Sequence, residues 1–158
     1  MALLKLDAID RKLLERLQLD STTQVADLAH EVGLSPTPCW RRIQRLKESG
    51  VITRSVSLVD PAKVNVGVTV FVSVRTSVHS EDWFSKFQAT VASIPEVMEF
   101  YRMSGDVDYL LRVVVPDIAA YDSVYKRLIA NTQLSDVSSS FAMQEIKYTT
   151  ALPMSYIL

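Results

Sequence analysis

The sequence predicts an α+β chain in two parts. A helix-turn-helix domain, plain or winged, precedes a ferredoxin-like β-α-β-β-α-β domain. Three observations carry this. Up to about residue 60, apolar residues recur at helical spacing. From residue 64 the period changes to two, with Val64, Val66, Val68, Val70, Val72 and Val74 on one face. Beyond that run, two helical stripes are interleaved with three further strand patterns.

The helical part reads in order. Asp7 caps a helix in which Ile9, Leu13 and Leu17 share a face. Asp20-Ser21-Thr22-Thr23 is a turn ending in N-cap residues. A short helix follows, with Val25, Leu28, Ala29 and Val32 on one face, and Gly33 breaks it. A third helix lies in GLSPTPCWRRIQRL, residues 33–46. Ser35 is its N-cap and Pro36 fits the first helical position, where the missing N–H costs nothing. Pro38 still lies in the first turn, so no intrahelical bond is lost. Gly50 ends the helix at C′. Residues 51–58 alternate like a short strand or hairpin arm, and Asp60-Pro61 is a turn signal. These signals divide the chain into a domain over 1–58, a linker over 59–65, a second domain over 66–150 and a tail over 151–158.

In the second part, Asn65, Thr69, Ser73 and Arg75, with Phe71 among them, lie opposite the valines of the first strand. Ser80 caps a helix striped by Phe84, Phe87, Val91 and Ile94, and Pro95 stops it. Residues 97–104 and 107–115 read as strands around a tight turn at Gly105-Asp106. Asp117 caps a second helix with Ile118, Tyr121, Tyr125 and Leu128 on one side. A last strand runs from about Val137 to Tyr148. Two βαβ halves joined by a hairpin place both helices on one sheet face. Thr69, Phe71, Tyr101 and Leu111 are expected on the other, a half-apolar surface suited to a dimer interface.

The third helix carries the first functional signal. At about 100° per residue, Ile43 and Leu46 fall within about 40° of Cys39 and form the packing face. Thr37, Arg41, Gln44 and Arg45 fall opposite, with Trp40 and Arg42 on the boundaries. A short helix, a tight turn and a helix with a cationic face make a helix-turn-helix. Arginine reads guanine edges bidentately and glutamine reads adenine. The base-facing set is Thr37, Pro38, Arg41, Gln44 and Arg45, while Arg42 and Arg54 suit phosphate. The competing reading is a solvated basic face on an ordinary three-helix bundle. Residues 1–55 hold nine Lys/Arg against seven Asp/Glu, and the remainder eight against eleven. This asymmetry favours an anionic partner for the front half only weakly.

Other classes find little support. No apolar run approaches the roughly 20 residues of a membrane span. Asp7 and Asp10 interrupt any signal-peptide core, so a cytoplasmic protein without a membrane partner is expected. The single cysteine excludes an intramolecular disulfide framework. Cys39 lies on the apolar face and His30 and His79 show no ligand spacing, so neither catalytic nor metal residues are expected. Four glycines form no phosphate loop, and no cofactor is expected.

Several separated motifs in order now resemble one family: LDAIDRKLLERLQ, GLSPTPCWRRIQRLKESGVI, SGDVDYLLRVVVPD and SSSFAMQEIKYTT. The chain resembles the Lrp/AsnC, or feast/famine, transcription regulators over nearly its whole length. Trp40 and the tail SSSFAMQEIKYTTALP most resemble a branch governing cysteine breakdown and detoxification. The resemblance implies a helix-turn-helix, a linker strand and a ferredoxin-like effector domain of RAM type. It also implies homodimers assembling to tetramers or octamers on double-stranded DNA, and a small amino-acid effector bound between dimers beside the Gly105 hairpin.

An amino acid needs an acceptor for its ammonium and donors for its carboxylate. By that resemblance Asp106 or Asp108 supplies the first, and backbone N–H groups near Ser104 and Gly105 the second. Ile118, Ser140, Phe141 and Ala142 are expected to wall the pocket, and Tyr101, Met103 and Tyr109 to contact the effector side chain. Ser140 and Ala142 stand where the family has larger residues, which argues against a leucine-shaped pocket, and the branch resemblance implies cysteine or another small amino acid as effector. Read without the family, Asp106 and Asp108 are simply residues a hairpin turn tolerates. Two alternatives stay open: an architectural DNA-binding protein without effector, and a ferredoxin-like small-molecule enzyme or sensor.

Overall fold

The computed structural model describes residues 5–130 and 133–157. The chain divides into two compact units. One joins the front of the chain, up to Ser57, with the tail from Ile146; the other runs Leu58–Glu145.

The first unit holds α1 (Ala8–Leu19), α2 (Val25–Val32) and α3 (Pro36–Glu48). Asp7 and Asp10 form a capping box: Asp7 Oδ1 accepts the N–H of Ile9 and of Asp10, each at 2.9 Å, and Asp10 returns the bond to the Asp7 N–H. The expected cap of α2 shifts by one residue, to Gln24, which makes no side-chain cap bond. Gly33 adopts φ +71°, the left-handed conformation that ends α2 and turns the chain into α3. Leu13, Leu28, Ala29, Cys39 and Ile43 form the core. Each buried leucine contributes about 1.5–3 kcal/mol. Gln18 holds the tail, since its side-chain amide donates to the Leu152 carbonyl and its Oε1 accepts the Leu152 N–H at 2.7 Å. A short 3-10 turn, Met154–Tyr156, lies near the tail's end.

The second unit begins with a 3-10 turn, Pro61–Val64, capped by Asp60 and closed by Asn65 at φ +59°. Val64 therefore belongs to this turn and not to the first strand. The sheet comprises β1 (Val68–Arg75), β2 (Val97–Arg102), β3 (Tyr109–Val115) and β4 (Asp136–Phe141). Its order is β2-β3-β1-β4, with every neighbouring pair antiparallel. Helices α4 (Glu81–Ala92) and α5 (Ile118–Ile129) are capped by Ser80 and Asp117 through their side chains. Val70, Val72, Val74, Leu111, Val113 and Val115 pack with Trp83, Phe87, Val91, Tyr121, Val124 and Leu128 into one core.

The sequence expectations fail in four further places. Residues 51–58 form no strand. β4 ends at Phe141 rather than near Tyr148, because past the bond from the Ala142 N–H to the Thr69 carbonyl only Val68 of β1 remains. Leu111 is fully buried, not on the open face, since the register sets it opposite Val72. Ile118 is 70% exposed and not part of its helix's buried stripe, where Val124 takes the place expected for Tyr125. The open face instead presents Phe71 and Tyr101 beside an Arg112–Glu99 ion pair at 2.7 Å. Arg112 holds the Glu99 carboxyl below its usual range. Among the described residues, no helix is long and apolar enough to cross a membrane.

Candidate functional site

The helix-turn-helix is built by α2, Gly33 and α3. Ser35 sits at the N-cap with extended backbone, but its hydroxyl makes no capping bond. The prolines define the start instead, and the first intrahelical bond runs from the Cys39 N–H to the Ser35 carbonyl at 3.3 Å. Cys39, Ile43 and Leu46 are buried, as their spacing predicts. Burial pushes the Cys39 thiol up, away from the reactive thiolate. Ser35, Thr37, Pro38 and Arg41 are exposed, and Gln44 is half-buried on the same side. Arg54, beyond the helix, is also exposed.

The cations of α3 are not equivalent. Arg42 donates to Asp7 at 2.6 Å and to Asp10 at 2.9 Å. Arg45 donates to the other oxygen of Asp10. Hydrogen bonds from Arg42 to Asp7 and Asp10 hold its guanidinium all the more firmly charged. The backbone N–H of Asp10, then Arg42, hold the Asp7 carboxyl below its usual range. Arg41 makes no ion pair among the described residues. The sequence placed Arg45 on the exposed face and Arg42 on its boundary, and did not foresee their carboxylate partners. Trp40 is 51% exposed on α3. Lys47, a cation of the same helix, lines a shallow cavity with Arg54.

The hairpin of the second unit turns at Gly105, φ +115°, a conformation that favours glycine. Ser104, Gly105 and Asp106 are exposed at its tip. Asp108 is part of the fold: its Oδ2 accepts the Thr76 N–H at 2.8 Å, its N–H bonds Val74 and its carbonyl accepts the Met103 N–H. Tyr109 does not face the hairpin surface. It is 4% exposed, with ring centroids of Trp83, Phe87 and Phe100 all within 5.8 Å. The alternation that buries Leu111 and Val113 buries Tyr109 with them.

The remaining expected pocket residues are spread over the sheet. Tyr101 and Met103 are exposed on or just beyond β2. Ser140 lies opposite Phe71 on the open face. Phe141 alternates to the helix face and meets Tyr121 edge-on, so the two neighbours cannot wall one surface. Ala142 bonds Thr69 at one end of β1, whereas Asp108 bonds Thr76 beyond its other end. Seven residues of extended chain place them roughly 20 Å apart. Ile118, just after β3, shares the Ala142 end. One chain thus separates Ser104–Asp108 from Ile118 and 140–142. No group of three or more His, Cys, Asp or Glu side chains suited to a metal occurs among the described residues.

A helix-turn-helix with an exposed cationic face, joined in one chain to a four-stranded antiparallel sheet carrying two helices, is the architecture of a two-domain DNA-binding regulator. Comparison with known proteins makes this specific. Residues 6–47 match the AsnC-type helix-turn-helix domain and residues 69–152 the Lrp/AsnC ligand binding domain. The chain belongs to the Lrp/AsnC family of transcription regulators and is not an enzyme. It is 50% identical to the DNA-binding transcriptional activator DecR of Escherichia coli, covering 94% of this chain and 99% of that one. It is 48% identical to the glutamate uptake regulatory protein of Zymomonas mobilis, covering 95% and 92%. A crystal structure of an AsnC family regulator from Agrobacterium tumefaciens superposes with a TM-score of 0.93 at 65% identity, covering 97% and 100%. A regulator of Neisseria meningitidis solved in complex with L-Met gives 0.91 at 34% identity, covering 97% and 99%.

Proposed function

We propose that this regulator reads a specific duplex DNA sequence with α3 and is switched by a small amino acid bound where dimers meet. Thr37, Pro38, Arg41 and Gln44 face bases, joined by Arg45. Ser35, Arg42 and Arg54 lie against the phosphate backbone. The protein acts in the cytoplasm as a homodimer, with the open sheet faces opposed, and assembles further to tetramers or octamers. Two α3 helices then enter successive major grooves about one helical turn apart.

The separation of the expected effector residues carries this reading. Ser104–Asp108 and Ile118 with 140–142 lie at opposite ends of the sheet. A pocket touching both sets therefore needs residues from more than one chain, and binding is then linked to assembly. Asp106, exposed and without an ion pair among the described residues, suits an effector ammonium. The likeness of Trp40 and the tail at 138–153 to the branch governing cysteine breakdown makes cysteine the effector of choice. The L-Met complex of the meningococcal regulator supports an amino acid as the ligand class. The relatives at 50% and 48% identity carry different regulatory names, so overall similarity does not choose the effector.

The test is thermal unfolding of the purified protein with each of the twenty amino acids, cysteine under reducing conditions. Sedimentation with the best ligand follows. Binding to the native state raises the midpoint. One clear hit that also changes the assembly supports the reading. No shift at millimolar concentration sinks the amino-acid effector and leaves an architectural DNA-binding protein. A shift with unchanged assembly sinks the placement between dimers.

A further inference from the structure

Asp10 is wholly buried, yet it lies on α1 and not on the helix that reads DNA. Three donors converge on its carboxylate. Arg42 reaches Oδ1 at 2.9 Å, while Arg45 and the Asp7 N–H, the latter at 3.1 Å, share Oδ2. Arg42 and Arg45 stand three apart on α3, so they are neighbours on its surface, and one carboxylate on the adjoining helix holds both. The two differ in what remains free. The Arg42 side chain is 28% exposed and also bound to Asp7, whereas that of Arg45 is 44% exposed. A guanidinium has five N–H donors in a rigid fork. Asp10 engages one end of the Arg45 fork and leaves the other to solvent.

We propose that Asp10 is a positioning residue for DNA recognition: from the core of the helical unit it fixes the guanidinium of Arg45, with Arg42 as a buttress, so that the free N–H groups of Arg45 meet a base edge in one set orientation. This rests on the reading of α3 as the DNA-binding helix and assigns the origin of its selectivity. An arginine immobilised before DNA arrives loses less side-chain freedom on binding. It also presents its fork at a defined angle, which a guanine edge demands and a phosphate tolerates. Arg41 has no such partner among the described residues and meets its base without this restraint.

The experiment uses the full chain. A duplex is selected from a random-sequence pool by the wild-type protein, and affinity for it is compared with that for a random duplex. Asp10→Asn keeps the shape and one of the two acceptor oxygens, but removes the charge and replaces the other oxygen by an NH2 donor. It should lower the preference for the selected duplex about tenfold while affinity for random duplex holds or rises. Leu28→Ala is the control, since it weakens the same core without touching either arginine and should keep the preference. Arg45→Ala leaves Asp10 with Arg42 and the Asp7 cap, so it should fold and lose the preference by itself. In the Arg45→Ala background, Asp10→Asn should cause no further loss. An unchanged preference in folded Asp10→Asn, or in Arg45→Ala, overturns the inference. So does an equal loss of preference in Leu28→Ala at matched destabilisation. If the wild-type protein enriches no duplex at all, the reading of α3 itself fails, a result distinct from each of these.

Discussion

Asp108 Oδ2 accepts the backbone N–H of Thr76 at 2.8 Å, tying the Gly105 hairpin to the end of β1. Thr76 is itself buried, and its hydroxyl bridges the backbone of Val78 and lies 3.2 Å from the Gln133 carbonyl. Removing the Asp108 carboxylate leaves a part-buried N–H without its acceptor. Asp108→Ala should therefore cost about 1–3 kcal/mol in urea unfolding. Asp106→Ala should change stability by less than about 0.5 kcal/mol while removing the effector-induced rise in melting temperature. Equal stability losses would contradict this division of roles.

Tyr109 belongs to an aromatic cluster with Trp83, Phe84, Phe87 and Phe100. Tyr109→Ala opens a cavity at its centre and should destabilise the second unit by about 3–5 kcal/mol. The loss should occur with or without effector. Normal stability in the variant would place the ring outside the core.

Arg41 is the α3 arginine that no carboxylate engages among the described residues. Arg41→Ala should weaken binding to the preferred duplex by roughly 1–3 kcal/mol if it reads a base. Fluorescence anisotropy on preferred and random duplexes gives the answer. An equal loss on both marks Arg41 as a phosphate contact.

Acid should weaken the helical unit through Asp7. Its folded carboxyl is held below the ordinary value of 3.8, first by the Asp10 N–H and then by Arg42. The folded state therefore binds the proton less readily than the unfolded chain does. This contribution is fully present above the ordinary value and fades as pH falls below it, through the lower folded value. Asp7→Asn should flatten the acid limb of stability against pH, with little change in slope near neutrality. A wild-type acid limb in the variant would show that Asp7 carries none of it.

How legible each feature was depends on how far its partners lie along the chain. Asp7, Ser80 and Asp117 cap helices within three residues of themselves, and all three were readable. Pro36 likewise marks a boundary by its own covalent geometry. The cap of α2 was misplaced by one residue, because Thr23 and Gln24 compete at a junction where neither side chain makes the capping bond. The strands β2 and β3 were found from their alternation, but not the direction of Leu111 and Tyr109, which depends on the register with β1. Residues 51–58 and 143–148 have strand-like patterns but pair with no strand, since alternation alone supplies no neighbour.

The candidate sites divide along the same line. The exposed face of α3 follows from residues spaced three and four apart, so Thr37, Arg41 and Gln44 were legible from the one helix. The engagement of Arg42 and Arg45 by Asp10 spans more than thirty residues, and no local pattern announces it. The separation of Asp108 from Ala142 likewise appears only when both are paired onto β1. The sequence by itself determined the helices, their caps, the change of period between domains and the cationic stripe, because each arises from short-range sterics and hydrogen bonding. Only the tertiary structure decided which carboxylate restrains which arginine and which strand face each residue takes. Those depend on register and helix packing, which bring together groups distant in the chain.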